Sequence, residues 1–289
     1  MDRLPVPLGP SAEMPLMKGF RRKFVAALQA GSSAWALTPL FPDLVRELNE
    51  VAKTRQAKLT KTSDMIGAVG SFNVAGGLMD ILMSIPRNVL ESVVLGTVAF
   101  DRCRAENPVI GLDNDGPGIY VAGIWIAGRR GKFINARELK VLIEDMEQYI
   151  QGVRQAGRGL HTRAAKAAWD FVQKVDTIFG PCPSAAQGEG RFLKSSSKEA
   201  VDAARAFVES LRHRLGELEA QDPTREIWMI QSPLYVGCSN NIAGRIGEYE
   251  LTQKTWSLSR INRHVGLTVS LLKGRGLDPH LQFVTAVRT

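Results

Sequence analysis

The chain of 289 residues carries 37 Lys and Arg against 29 Asp and Glu, a formal charge of +8. With 44% hydrophobic and 23% charged residues and no long biased tract, it is neither a disordered tail nor a fibrous repeat, and it can bury a core of ordinary size. Three scattered cysteines exclude a disulfide framework, four scattered histidines give no local zinc spacing, and no apolar run reaches the roughly 18–20 residues that span a bilayer.

Cysteine usage and the lack of a compact secretory leader point to an intracellular protein, cytoplasmic or nuclear. The positive excess is spread along the chain, which suits either a mildly cationic surface or attraction to nucleic acid or anionic lipid.

Residues 1–17 hold four prolines and read as a loose arm. A helix is expected from Phe20 to about Leu37. Another follows Pro42, with Leu44, Val45, Leu48, Val51 and Ala52 on one stripe. The basic stretch "KTRQAKLTKT" (53–62) reads first as a solvated face and second as a phosphate contact. The glycine-rich "GAVGSFNVAGG" (67–77) lacks the Gly-Lys-Ser/Thr ending of a nucleotide loop, so it reads as a turn or a close helix contact. Residues 78–104 form an apolar helical segment with Pro86 near an N-terminus.

The period changes at "NDGPGIYVAGIWIAGRRGKFIN" (114–135), where β-branched and aromatic residues after a turn favour a strand or hairpin. Asn135 caps a helix with Leu139, Leu142, Ile143, Met146 and Ile150 on one face. A further helix, about 161–178, presents Ala165, Ala168, Trp169, Val172 and Val175. "FGPCPSAAQGEG" (179–190) is the clearest linker. Ser196 and Glu199, at capping-box spacing, then open an amphipathic helix. Its Val201, Ala204, Val208, Leu211, Leu215 and Leu218 suit docking on a partner helix, and it ends at "QDP" (221–223).

Near the C-terminus, "REIWMI" (225–230) and "LYVG" (234–237) flank "QSP", which predicts an antiparallel hairpin. Ser239 or Asn240 caps the next helix, with Ile242, Ile246 and Tyr249 buried and Arg245 beside them. Gly244 and Gly247 each weaken that helix by about 1 kcal/mol relative to alanine, which suggests close backbone approach. A segment with Lys254, Arg260, Arg263, His264, Lys273 and Arg275 leads to a strand in "HLQFVTAVRT" (280–289). Trp228 and Cys238 read as buried core residues.

The run Y-V-G-x-S-x-N-I-x-x-R-I-x-x-Y, residues 235–249, resembles the second half of the GIY-YIG endonuclease module. In that module a G-I-Y strand is followed by a Y-I/V-G strand and a helix bearing an arginine. Here "EIWMI" (226–230) takes the place of G-I-Y-x-I, and the literal G-I-Y at 118–120 is set aside because the family hairpin is tight. The resemblance implies that Tyr235 positions or deprotonates the attacking water and that Arg245 binds the phosphate. Arg260, Arg263, His264 and Lys273 would join Arg245 on the nucleic acid.

The family's Mg²⁺ or Mn²⁺ is held by a glutamate after the third strand; Glu248 and Glu250 lie too early for that role. With Trp228 in the place of the first tyrosine, the expectation is a DNA-binding module whose phosphodiester hydrolysis is impaired. The alternative is a protein-interaction protein acting through its helical surfaces and helix 197–220. The expected fold is mainly α over residues 1–185. Residues 191–289 then give a long helix leading into a GIY-YIG-like α+β module, a small antiparallel sheet flanked by helices.

Overall fold

The computed structural model describes residues 19–31, 37, 40, 84–103, 113, 116–180, 187–255 and 263–288, the side chains of 20 and 250–255 excepted. The segments expected after Pro42, at 53–62 and at 67–77, together with Arg260, lie outside the described residues. Among the described residues are eight helices and a three-stranded antiparallel sheet. In chain order the helices are α1 (Gly19–Gln29), α2 (Arg87–Leu95), α3 (Val98–Arg102), α4 (Ala136–Arg158), α5 (Arg163–Asp176), α6 (Lys198–Gln221), α7 (Ile242–Thr255) and α8 (Arg263–Gly274). The strands are β1 (Gly118–Ile126), β2 (Leu234–Ser239) and β3 (Pro279–Arg288).

By contacts the chain divides into two compact units, each discontinuous in sequence. One contains Trp125–Ile230 and Tyr249–His280; the other contains Leu16–Ile124, Gln231–Glu248 and Leu281–Thr289. The linker composition at 179–190 therefore falls inside the first unit.

That first unit is a helical assembly. Asn135 caps α4 through a complete capping box: its side chain accepts from Glu138 N at 3.0 Å, and its own N–H donates to Glu138 Oε2 at 3.0 Å. The stripe Leu139, Leu142, Ile143, Met146 and Ile150 is buried as its spacing requires. Thr162 Oγ1 caps α5, accepting from Ala165 N at 3.1 Å. The cap of α6 is Ser197, whose Oγ accepts from Ala200 N at 3.4 Å. Ser196, expected there, instead donates to Glu189 Oε1 at 2.9 Å. α4 packs on α5, α6 and α8, so the apolar stripe of α6 finds a partner helix within its own chain.

A polar network crosses the interior of this unit. Tyr149 Oη donates to Asp176 Oδ1 at 2.7 Å, and Asp176 Oδ2 accepts from Arg191 N at 2.9 Å. Burial pushes the Asp176 carboxyl above its ordinary range, with the hydrogen bonds from Arg191 N and Tyr149 opposing that rise. Of the basic connection expected before the last strand, residues 263–274 form helix α8. Residues Gly266 to Leu272 are all buried, and a helix apolar all round offers no amphipathic period to read.

The second unit is built on the sheet, ordered β2-β1-β3. β1 pairs antiparallel with β2 in the register Gly118↔Ser239, Tyr120↔Gly237 and Ala122↔Tyr235. The expected hairpin between 225–230 and 234–237 does not form. Residues 225–229 are not a strand; Met229 instead exchanges backbone hydrogen bonds with Phe133 and Ile134 at 2.7 and 3.2 Å. "QSP" is an anchored passage rather than a turn. Ser232 N donates to Gly96 O at 3.0 Å, Ser232 Oγ accepts from Ile124 N at 3.0 Å, and Gln231 Nε2 donates to Leu95 O. Gln231 and Ser232 are both buried, and these bonds satisfy polar groups that a simple turn would leave in water.

One face of this sheet meets α2 and α3, where Val121, Val284 and Ala286 pack with Val89 and Val98. Gly96, in the left-handed conformation at φ 79°, ends α2 within the apolar helical segment expected over 78–104.

Candidate functional site

The opposite face of the sheet carries Tyr120, Tyr235 and Phe283. Strand side chains alternate, so the register places Tyr120, Ala122, Tyr235 and Gly237 on one side. Tyr120 and Tyr235 are diagonal neighbours, within reach of one another for rings of this size. Their centroids are 6.0 Å apart with an interplanar angle of 62°, an edge-to-face contact. Phe283 of β3 lies 6.0 Å from Tyr120 at 59°. Tyr120 is 1% exposed, whereas Tyr235 is half-buried.

Two glycines make this arrangement sterically feasible. A Cβ on Gly237 would lie 2.4 Å from both Cζ and Oη of Tyr120, so the phenol rests across bare backbone. A Cβ on Gly118 would lie 2.2 Å from Val287 O and 2.9 Å from Ile242 Cδ1. Close approach was expected at Gly244 and Gly247 of α7. There a Cβ would meet only the Asn241 amide at Gly244 and nothing within 4 Å at Gly247.

The chain turns directly from β2 into α7. Ser239 Oγ accepts from Asn241 N at 3.1 Å and donates to Asn241 O at 2.8 Å. Asn241, rather than Ser239 or Asn240, is the cap: its Oδ1 accepts from Gly244 N at 2.8 Å. Ile242 and Ile246 are buried, as is Tyr249. Arg245 sits in the first turn of the helix beside these isoleucines. Its side chain is 22% exposed, and Nη1 donates to Glu248 Oε2 at 2.7 Å.

Tyr235 and Arg245 thus belong to one compact unit, whereas Arg263, His264 and Lys273 belong to the other. Arg263 is exposed at the start of α8. The His264 ring lies 5.8 Å from that of Phe207; burial first, then the charge of Arg263, pushes its pKa below the ordinary histidine value. That shift favours the neutral ring. Lys273 pairs with Asp278 at 3.7 Å and lies 5.7 Å from the Phe179 ring.

Trp228, expected in the core, is 39% exposed. Its ring is covered by the Arg129 guanidinium at 4.7 Å, itself held by Glu138 through two 2.7 Å bonds. Cys238, also expected to be buried, is exposed on β2.

The residue that sequence reasoning passed over is Tyr120. Its signal was the literal G-I-Y at the start of a β-branched, aromatic run, set aside because a partner strand was sought only nearby. Among the described residues no three His, Cys, Asp or Glu side chains converge as metal ligands. No helix of the described residues is long and apolar enough to cross a membrane. No family model matches the chain, and no curated protein or solved structure gives a significant match.

Proposed function

We propose that the chain binds nucleic acid, DNA foremost, through Tyr235 and Arg245, with Tyr120 bracing Tyr235 from beneath. In this reading the module is similar to GIY-YIG endonucleases, but its G-I-Y is residues 118–120 and not 226–230. The observation that supports it is the register. Gly118, Ile119 and Tyr120 pair across the sheet with Ser239, Cys238 and Gly237, and the chain passes from there straight into the helix bearing Arg245. Both motif glycines lie where a side chain would collide, which gives the G-I-Y and Y-V-G patterns a physical cause.

Each group then has a chemical task. The Arg245 guanidinium offers forked donors to a phosphate. The half-buried phenol of Tyr235 stands at the margin where an attacking water would be held. Tyr120, sealed beneath it, fixes that ring edge-to-face and acts as a positioning residue. Phosphodiester hydrolysis also needs charge stabilisation on the phosphoryl and leaving oxygens, and no step through a metal is assigned here. A protein-interaction role through α6 has less in its favour, because Val201, Ala204, Val208 and Leu211 are already buried and α6 packs on α4.

The test is DNA binding by fluorescence anisotropy across a salt series. Arg245→Ala should weaken affinity about tenfold, the worth of one charged hydrogen-bonding contact, and make the log–log salt slope shallower by about one. Lys166→Ala, an exposed cation on α5, should change little. Equal effects from the two substitutions remove Arg245 from the interface. A plasmid-nicking assay with Mg²⁺ or Mn²⁺ then separates a module that cuts from one that only binds.

A further inference from the structure

We propose that Glu248 is a built-in competitor for phosphate on Arg245, so that nucleic-acid binding exchanges one anion for another at the same guanidinium. The inference rests on the nucleic-acid reading above and adds a residue that reading does not use. The carboxylate holds Arg245 Nη1 at 2.7 Å, with side-chain exposures of 22% for the arginine and 39% for the glutamate.

Two roles fit such a pair. Glu248 either steadies the guanidinium for its ligand or occupies the place the ligand must take. The pair's chemistry favours occupation. Arginine precedes glutamate on the same helix, three residues apart, which is the weaker order because it runs against the helix dipole. Solvent-accessible pairs of this kind shift an equilibrium only about two- to fivefold. A phosphodiester, by contrast, offers two oxygens to the guanidinium fork, and such bidentate bonds are stronger.

A carboxylate left in place would also stand beside the bound phosphate as a like charge. Its exposure lets it swing away into water once displaced. The arginine is the less exposed partner, so it is the glutamate that leaves. Free protein thereby carries a neutralised Arg245, which lowers its affinity for weakly held anions and reserves the site for a ligand able to outbid a carboxylate.

The experiment is anisotropy with a short fluorescent DNA duplex at low salt, using wild type, Glu248→Gln, Arg245→Ala and the double variant, each checked for a wild-type melting profile. The expected result is that Glu248→Gln tightens binding about two- to fivefold and that this gain disappears when Arg245 is absent. Two results overturn the competition while leaving the nucleic-acid reading in place. One is weaker or unchanged binding by Glu248→Gln although Arg245→Ala still weakens it, which would make the glutamate a support. The other is equal tightening with and without Arg245, which would be a general charge effect. If Arg245→Ala leaves binding unchanged, the nucleic-acid reading fails and the competition falls with it.

Discussion

Around Gly118 and Gly237 the sheet unit packs by leaving side chains out, whereas around Tyr149 the helical unit packs by tying polar side chains together. In the sheet, backbone and phenol occupy the space a methyl group would need, with would-be contacts of 2.2 Å at Val287 O and 2.4 Å at the Tyr120 ring. In the helical unit, a buried carboxylate is made tolerable by hydrogen bonds from Tyr149 and Arg191 N. The first device is intolerant of added volume, the second of lost partners. The helical unit uses the first device too, since a Cβ on Gly152 would lie 2.5 Å from Ala168 O and one on Gly190 2.7 Å from Tyr149 Oη. The sheet unit is the one that holds the paired tyrosines and Arg245, on which the proposed function rests.

The largest effect should come from adding one methyl group to the sheet. Gly118→Ala should cost about 3 kcal/mol, at the upper end of overpacking, since the obstacle is the backbone carbonyl of Val287. Gly237→Ala should cost somewhat less, because the Tyr120 ring can tilt. Urea denaturation measures both, and near-wild-type midpoints would erase the contrast drawn above.

Next is Tyr149→Phe, which removes the donor to Asp176 Oδ1 without changing the packing volume much. It should cost about 1–3 kcal/mol by leaving a buried acceptor short of a partner. A loss below a few tenths of a kcal/mol would mean that the network is ornamental. The smallest effect has the opposite sign. Gly216 lies inside α6 with nothing within 4 Å of a would-be Cβ, so Gly216→Ala should stabilise by up to about 1 kcal/mol. A destabilisation there would show that α6 resists added volume even where its surface is open.

What could be read from the sequence follows from the range of the interactions involved. α4, α5 and α6 were legible because their stripes and caps are local: Asn135 and Glu138 sit three residues apart, and Leu139 to Ile150 repeat on one face. β1 was legible as a strand, but its partner was not, because register is fixed by residues distant in sequence. Ile124 and Ser232, joined by a hydrogen bond, are 108 positions apart. Favouring a nearby hairpin paired 226–230 with 234–237 and left out β1, the strand that pairs with β2. α8 was missed for a different reason: with Gly266 to Leu272 all buried, its pattern carries neither the helical nor the strand period. Tyr235 and Arg245 were nameable beforehand, but the ring that braces Tyr235 emerged only with the fold.

The separation of β1 from β2 also has a bearing on biosynthesis. β1 leaves the ribosome long before its neighbour exists. At about 5–20 residues per second, the 108 positions between Ile124 and Ser232 correspond to a wait of roughly 5–20 s. Through that interval the nascent chain carries an apolar orphan strand, G-I-Y-V-A-G-I-W-I, open to any passing strand edge. A chain that stopped ahead of residue 234 would carry β1 without the strand that pairs with it.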